Sequence, residues 1–252
     1  MTRTHHFPAV GIAAALGLFG VAASRYPGGT TDSAATLGYS WAHNFLSALF
    51  GDRALNGATN PARGVAVLAM LALCVSLGTV FQRLSTRFRS PLHRKTIQIA
   101  GIGAMVYSFL VVTPMHNVMV DVGLLFASVA IVATTHALYL ERRWTLLAWG
   151  SGCMAITALT AAMYYGHLLY GYLPIAQKLA FVACIGWLLC TYYSPSIGTG
   201  TPRRSVWREA FRRASPSPQP LAPSPQPRHF SAGRPAAPDS APARRRTSPP
   251  PD

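Results

Sequence analysis

A chain of 252 residues that is 50% apolar, only 12% charged and of mean hydropathy +0.27 excludes an ordinary soluble domain and points to lipid as the solvent for most of its length. The formal charge of +15 resembles a nucleic-acid signal, but ten of the 22 Lys and Arg fall between Arg203 and Arg246. The basicity belongs to one end and to loops, where it holds anionic lipid and sets orientation, and no nucleic-acid partner is expected.

The first apolar run, THHFPAVGIAAALGLFGVAAS between Arg3 and Arg25, predicts a helix near 7–24. Its basic start and small-residue end also suit a cleaved signal peptide, and the further apolar runs that follow favour the helix. Residues 25–63 then form a loop, with turn chemistry in YPGGTTD and GDRALNGATNP flanking an aromatic segment, YSWAHNFLSALF. Trp41, Phe45 and Leu49 recur every four residues, which predicts a short helix near 39–50. It is too short to span, and its aromatics suit the membrane interface.

The remaining helices follow from the spacing of charges. None occurs between Arg63 and Arg83, and between Thr96 and Leu140 only Asp121 interrupts a run divided by a turn at Pro114. The charge-free stretch 144–177 is too long for one helix and breaks at YYGHLLYGYLP near 164–174, and a last run ends before Pro202. Helices are therefore predicted near 7–24, 64–82, 96–113, 118–140, 144–163 and 175–193. The fold class is an all-α polytopic transmembrane bundle of six spans over residues 1–193. Cys74, Cys153, Cys184 and Cys190 all lie in its apolar runs, with no disulfide framework and no zinc-ligand spacing.

Orientation follows from Lys and Arg in the connections. One side carries thirteen (Arg3, five in 83–95, Arg142, Arg143, and five from Arg203 to Arg213), and the other three (Arg25, Arg53 and Arg63). Both termini are expected in the cytoplasm, the loop 25–63 outside, and the protein in a bacterial inner membrane. From 194 to 252 the chain is Pro-rich and basic, a composition that predicts a disordered tail. Its start, PRRSVWREAFRRAS, places Trp207 and Phe211 on one helical face and Arg204, Arg208 and Arg212 on another. With Arg203 and Arg213 these would rest on the anionic inner leaflet, the alternative being a solvated tail.

Tyr26-Pro27-Gly28-Gly29, YSWAHNFLSALFG over Tyr39 to Gly51, and Asn60-Pro61 resemble the first loop of an uncharacterised bacterial six-helix membrane family, domain of unknown function 998. That family is distantly similar to the DRAM, Frag and Sfk group of multipass proteins. The resemblance covers residues 7–193 and implies six helices, with no established reaction. Where it implies an acidic residue after a Leu-Ser step, Leu46-Ser47 is here followed by Ala48, so no role of that carboxylate carries over.

The helix placement puts His43, His116 and His167 in the three outer connections, with Asp121 within two turns of His116. Three imidazoles and a carboxylate are ligands enough for a zinc-bound water, and Ser47 could polarise a carbonyl, as in a metal-dependent intramembrane lipid hydrolase. No HxxxH or HExxH pair fixes two ligands on one face, and the plain alternative is hydrated headgroup histidines. Asp121 and Lys178, charged within spans near the outer ends, are expected to approach each other as a structural pair or a proton relay. His93 and His136 lie toward the inner side. A two-haem cytochrome is disfavoured because His116 and His136 are about 30 Å apart along one helix and neither has an evident partner on a facing helix. A small-solute or ion transporter is a further alternative, against which stands the lack of an internal repeat. Ala13, Gly17, Gly101, Gly103, Ala148 and Gly152 permit close helix packing. The leading expectation is a membrane protein that is not an enzyme and holds no cofactor, with lipids as its partners.

Overall fold

The computed structural model describes residues 6–194. Arg3, the Pro-rich tail from 195 and the surface arginines Arg203, Arg204, Arg208, Arg212 and Arg213 lie outside the described residues. Six helices form: α1 (Phe7–Ser24), α2 (Arg63–Ser85), α3 (Pro91–Leu110), α4 (His116–Leu140), α5 (Trp144–Gly166) and α6 (Leu173–Tyr193). Short 3-10 turns occupy Leu46–Phe50 and Tyr170–Tyr172. Among the described residues there is no strand, only the isolated bridges Gly28–Leu37 and Arg53–Thr59 in the loop after α1. Five of the helices are long and apolar enough to cross a membrane: α1, α2, α4, α5, and α6 with its preceding turn.

Local chemistry sets the helix ends. Pro8, Pro91 and Pro174 open α1, α3 and α6, where a missing N–H costs nothing. The hydroxyl of Ser90 accepts the N–H of His93 at 3.5 Å and caps α3. That cap moves the start of α3 five residues ahead of the predicted 96, so Arg94 and Lys95 ride on its first two turns. α5 ends on His167 in the left-handed conformation (φ 51°), a common stop for a helix, and Arg142 (φ 57°) reverses the chain between α4 and α5 in the same way.

The helix predicted near 39–50 does not form as such; only Leu46–Phe50 is helical, as a 3-10 turn. The reason is Asn44. Its side-chain oxygen accepts the N–H of Ser40 at 2.9 Å and its amide donates to Gly29 O at 2.8 Å, a local bonding scheme that competes with a helix. The apolar stripe serves a folded loop instead. Leu49, Phe50 and Ala54 pack with Phe19 and Ala22 of α1 and with Ala66 and Ala69 of α2.

In the bundle, α2 packs on α1, α3 and α6, while α4 lies between α3 and α5, and α5 between α4 and α6. Leu77, Val80, Phe81 and Leu84 of α2 meet Ile97 of α3, Leu138 of α4 and Trp187 of α6 in a continuous core. Trp187 is fully buried, its indole N–H donating to Leu146 O at 2.8 Å. It lies over Gly150, where a Cβ would sit 2.7 Å from the ring. Outward apolar side chains such as Leu125, Leu159 and Val182 are more than half exposed, a surface suited to lipid rather than water.

Close packing selects different small residues from those expected along the chain. Gly101 and Gly103 do sit under the Phe81 and Phe126 rings. Gly17 and Gly152, however, face open space, and Ala13 and Ala148 are exposed, whereas Gly11 and Gly150 make the contacts in α1 and α5. Gly101→Val should therefore destabilise the protein by about 1–3 kcal/mol through overpacking against Phe81, read as a lower thermal midpoint in detergent. Gly17→Val should leave that midpoint unchanged.

Candidate functional site

Two places gather polar side chains: the cap formed by the loop between α1 and α2, and the end of the α3–α4 pair where α3 begins and α4 ends. The cap is built on strained turns that require glycine. Gly28 (φ 140°) and Gly29 (φ 88°) let the chain pass against Thr36 and Asn56, and the Gly29 N–H donates to Thr36 O at 2.7 Å. Asn60 closes the far side, its amide donating to Leu49 O at 3.2 Å and Gly51 O at 2.9 Å while its oxygen accepts the Ala62 N–H at 3.1 Å. The Tyr26 hydroxyl accepts the Leu55 N–H at 2.9 Å. The residues that carry the family resemblance, Tyr26 to Gly29 and Asn60, are thus the framework of the cap.

Asn44 is fully buried at the centre of the cap, and its backbone oxygen is the point where the cap meets α6. That oxygen accepts Lys178 Nζ at 2.5 Å and the Tyr39 hydroxyl at 3.2 Å. Lys178 also donates to Pro174 O at 3.0 Å, and its ammonium stands 5.8 Å from the centre of the Tyr39 ring, within cation–π range. Burial pushes the Tyr39 phenol well above its ordinary range, with Tyr26 adding to the effect.

Asp121 and Lys178, expected to approach each other, are hydrogen-bonded to different partners. α4 and α6 each spend their charge on another neighbour: Lys178 on carbonyls, and Asp121 on Tyr165 of α5, whose hydroxyl donates to it at 2.5 Å. Nor do His43, His116, His167 and Asp121 converge, since among the described residues no three His, Cys, Asp or Glu side chains come together as ligands of one metal ion. Each histidine serves its own turn. His43 Nδ1 is 3.1 Å from the Ser40 hydroxyl, His116 Nδ1 donates to Val111 O at 2.9 Å, and the His167 ring tilts on Tyr170. Ser47 lies half-buried in the 3-10 turn.

At the opposite end, His93 Nε2 and His136 Nδ1 are 2.9 Å apart, so His136 does have a partner on a facing helix. The signal for this pair was in the chain: His93 lies 21 residues before Pro114 and His136 22 after it, so an antiparallel hairpin brings them level. The same rule pairs Asp121 with Tyr165 about the α4–α5 turn at Arg143. The chain matches no protein-family model, no curated protein and no solved structure.

Lys178→Met removes the charged bond that ties Asn44 of the cap to α6, worth about 1.5–3 kcal/mol, and should raise the opening of the cap by roughly tenfold or more. Trypsin cleavage after Arg53 in detergent-solubilised protein should accelerate accordingly. The neutral Tyr39 phenol is the form the folded cap holds. Cap stability is therefore full below the ordinary phenol pKa of about 10 and falls as pH rises beyond it. A tryptophan fluorescence titration should show that alkaline limb, and Tyr39→Phe should diminish it.

Proposed function

We propose that this is an integral membrane protein of six spans with both termini in the cytoplasm, its cap covering the outer end of α1 and α2. α3, whose first two turns carry Arg94 and Lys95, is the sixth span. One observation carries this reading, the antiparallel register of α3 on α4: His93 meets His136, Gly103 lies under Phe126, and Tyr107 stacks on Phe126 near Gly123. A helix matched along its length to one that is long and apolar enough to span covers the same depth of membrane. The thirteen-to-three division of Lys and Arg supports the orientation.

The proposal extends to kinship with the domain of unknown function 998 family, because the residues of that resemblance are the ones that fold the cap. It places the protein in a bacterial inner membrane in a lipid- or envelope-associated role, with the basic tail against the anionic inner leaflet. No reaction follows from it, and neither the zinc hydrolase nor the transporter reading has a specific observation in its favour. In a variant lacking Cys74, Cys153, Cys184 and Cys190, single cysteines report each side. Ala34→Cys in the cap and Met115→Cys between α3 and α4 should react with an impermeant maleimide on intact cells, and Thr86→Cys between α2 and α3 only after permeabilisation. Labelling of Thr86→Cys and Met115→Cys on the same side would refute α3 as a span.

A further inference from the structure

A groove of about 380 Å³ runs along the α3–α4 seam, lined by Leu92, His93, Thr96, Ser128, Val129, Val132, Ala133 and His136. Every lining residue belongs to these two helices, and Leu92 and Val132 are at least half exposed, so the groove opens sideways from the bundle. Polarity is graded along it. The His pair and Thr96 stand at the end predicted to be cytoplasmic, while Val129, Val132 and Ala133 line the way inward as far as Ser128, about 12 Å along α4 from His136.

His93 is the third residue of α3 and His136 lies four residues before the end of α4, which puts both within about a turn of the helix ends, at headgroup and glycerol depth. Arg89 precedes α3, Arg94 and Lys95 follow His93, and Arg142 is in the α4–α5 turn, with Glu141 as the acid there; Arg89, Arg94, Lys95 and Arg142 are exposed. A cationic, hydrogen-bonding mouth above an apolar trough of this size complements one class of ligand, an amphiphile with an anionic head and an acyl chain.

The His pair suits a phosphate. Each ring spends one nitrogen on the other, and with His93 Nδ1 buried, Nε2 of the exposed His136 is the ring nitrogen left to the mouth of the groove. With its Nδ1 accepting from His93, His136 presents an Nε2–H donor to a phosphate oxygen, and the exposed Arg94 and Lys95 supply positive charge on the same end of the helix pair. We propose that this groove is a binding site for an anionic phospholipid of the cytoplasmic leaflet, its phosphate at His136 and the basic mouth and one acyl chain along Val129, Val132 and Ala133. This rests on the membrane reading above.

The test uses the full-length protein purified in detergent, stripped of lipid and reconstituted with equimolar phosphatidylglycerol and phosphatidylcholine, with lipid retained on repurification identified by mass spectrometry. The wild type should retain phosphatidylglycerol over phosphatidylcholine by about tenfold, and His136→Leu should abolish that preference. Val132→Trp fills the trough from its exposed side, leaves both histidines in place and should reduce retention of either lipid by a similar factor. Equal retention of the two lipids by the wild type, or wild-type behaviour of a folded Val132→Trp protein, overturns the site. A protein soluble without detergent overturns the membrane reading itself, so the two failures are distinguishable.

Discussion

Backbone carbonyls that no helix satisfies set the plan of this molecule, because a chain surrounded by lipid has no water to supply the missing partners. The buried carbonyl of Asn44 in the cap and the last carbonyls of α6 each meet the problem with a cation. Near the start of α6 Lys178 donates to Asn44 O and Pro174 O, and at its end the Arg87 guanidinium donates to Tyr192 O and, at 2.6 Å, to Ser194 O. Carbonyls balance these charges without a second buried ion, which avoids the desolvation a salt bridge requires. The ion pair Arg63–Asp52 contrasts with them. It lies on the rim of the cap with the carboxylate 80% exposed, where such pairs are worth about 0–1 kcal/mol.

The helices were legible because the gaps between charges measure the bilayer, and five of the six sit within a few residues of where those gaps put them. α3 shows the limit of that ruler. Lys95 and Arg94 end an apolar run without ending a helix, whose start is decided by the Ser90 hydroxyl and Pro91. Periodicity misled at 39–50 for a related reason. Trp41, Phe45 and Leu49 share a spacing, but the buried amide of Asn44 offers the backbone bonds that compete with helical ones, and nothing in an apolar pattern records them.

Side-chain partners were harder to read than helices because they depend on register and not on depth. Asp121 and Lys178 stand at matching depths, which is why they were expected to meet; depth alone does not say which neighbour a side chain faces. The hairpin rule does: Tyr165 and Asp121 are equidistant from their turn, as are His93 and His136 from theirs. Short links leave little slack between antiparallel helices, so positions equally far from a turn face each other. The cap has no such rule. Its contacts run from Gly29 to Asn44 and from Asn44 to Lys178, across a loop and then 134 residues of chain.

The two ends of the bundle are built on different principles, and the difference bears on how a ligand arrives. At one end, loop 25–63 packs on α1 and α2 and is pinned to α6 by Lys178. At the other end the links among the described residues are short, residues 86–90 and 141–143. On the proposed placement in the membrane, the groove along the α3–α4 seam opens sideways at its basic end, toward molecules diffusing in the leaflet. The proposed lipid site is then one that its ligand enters sideways from the membrane, without passing the cap.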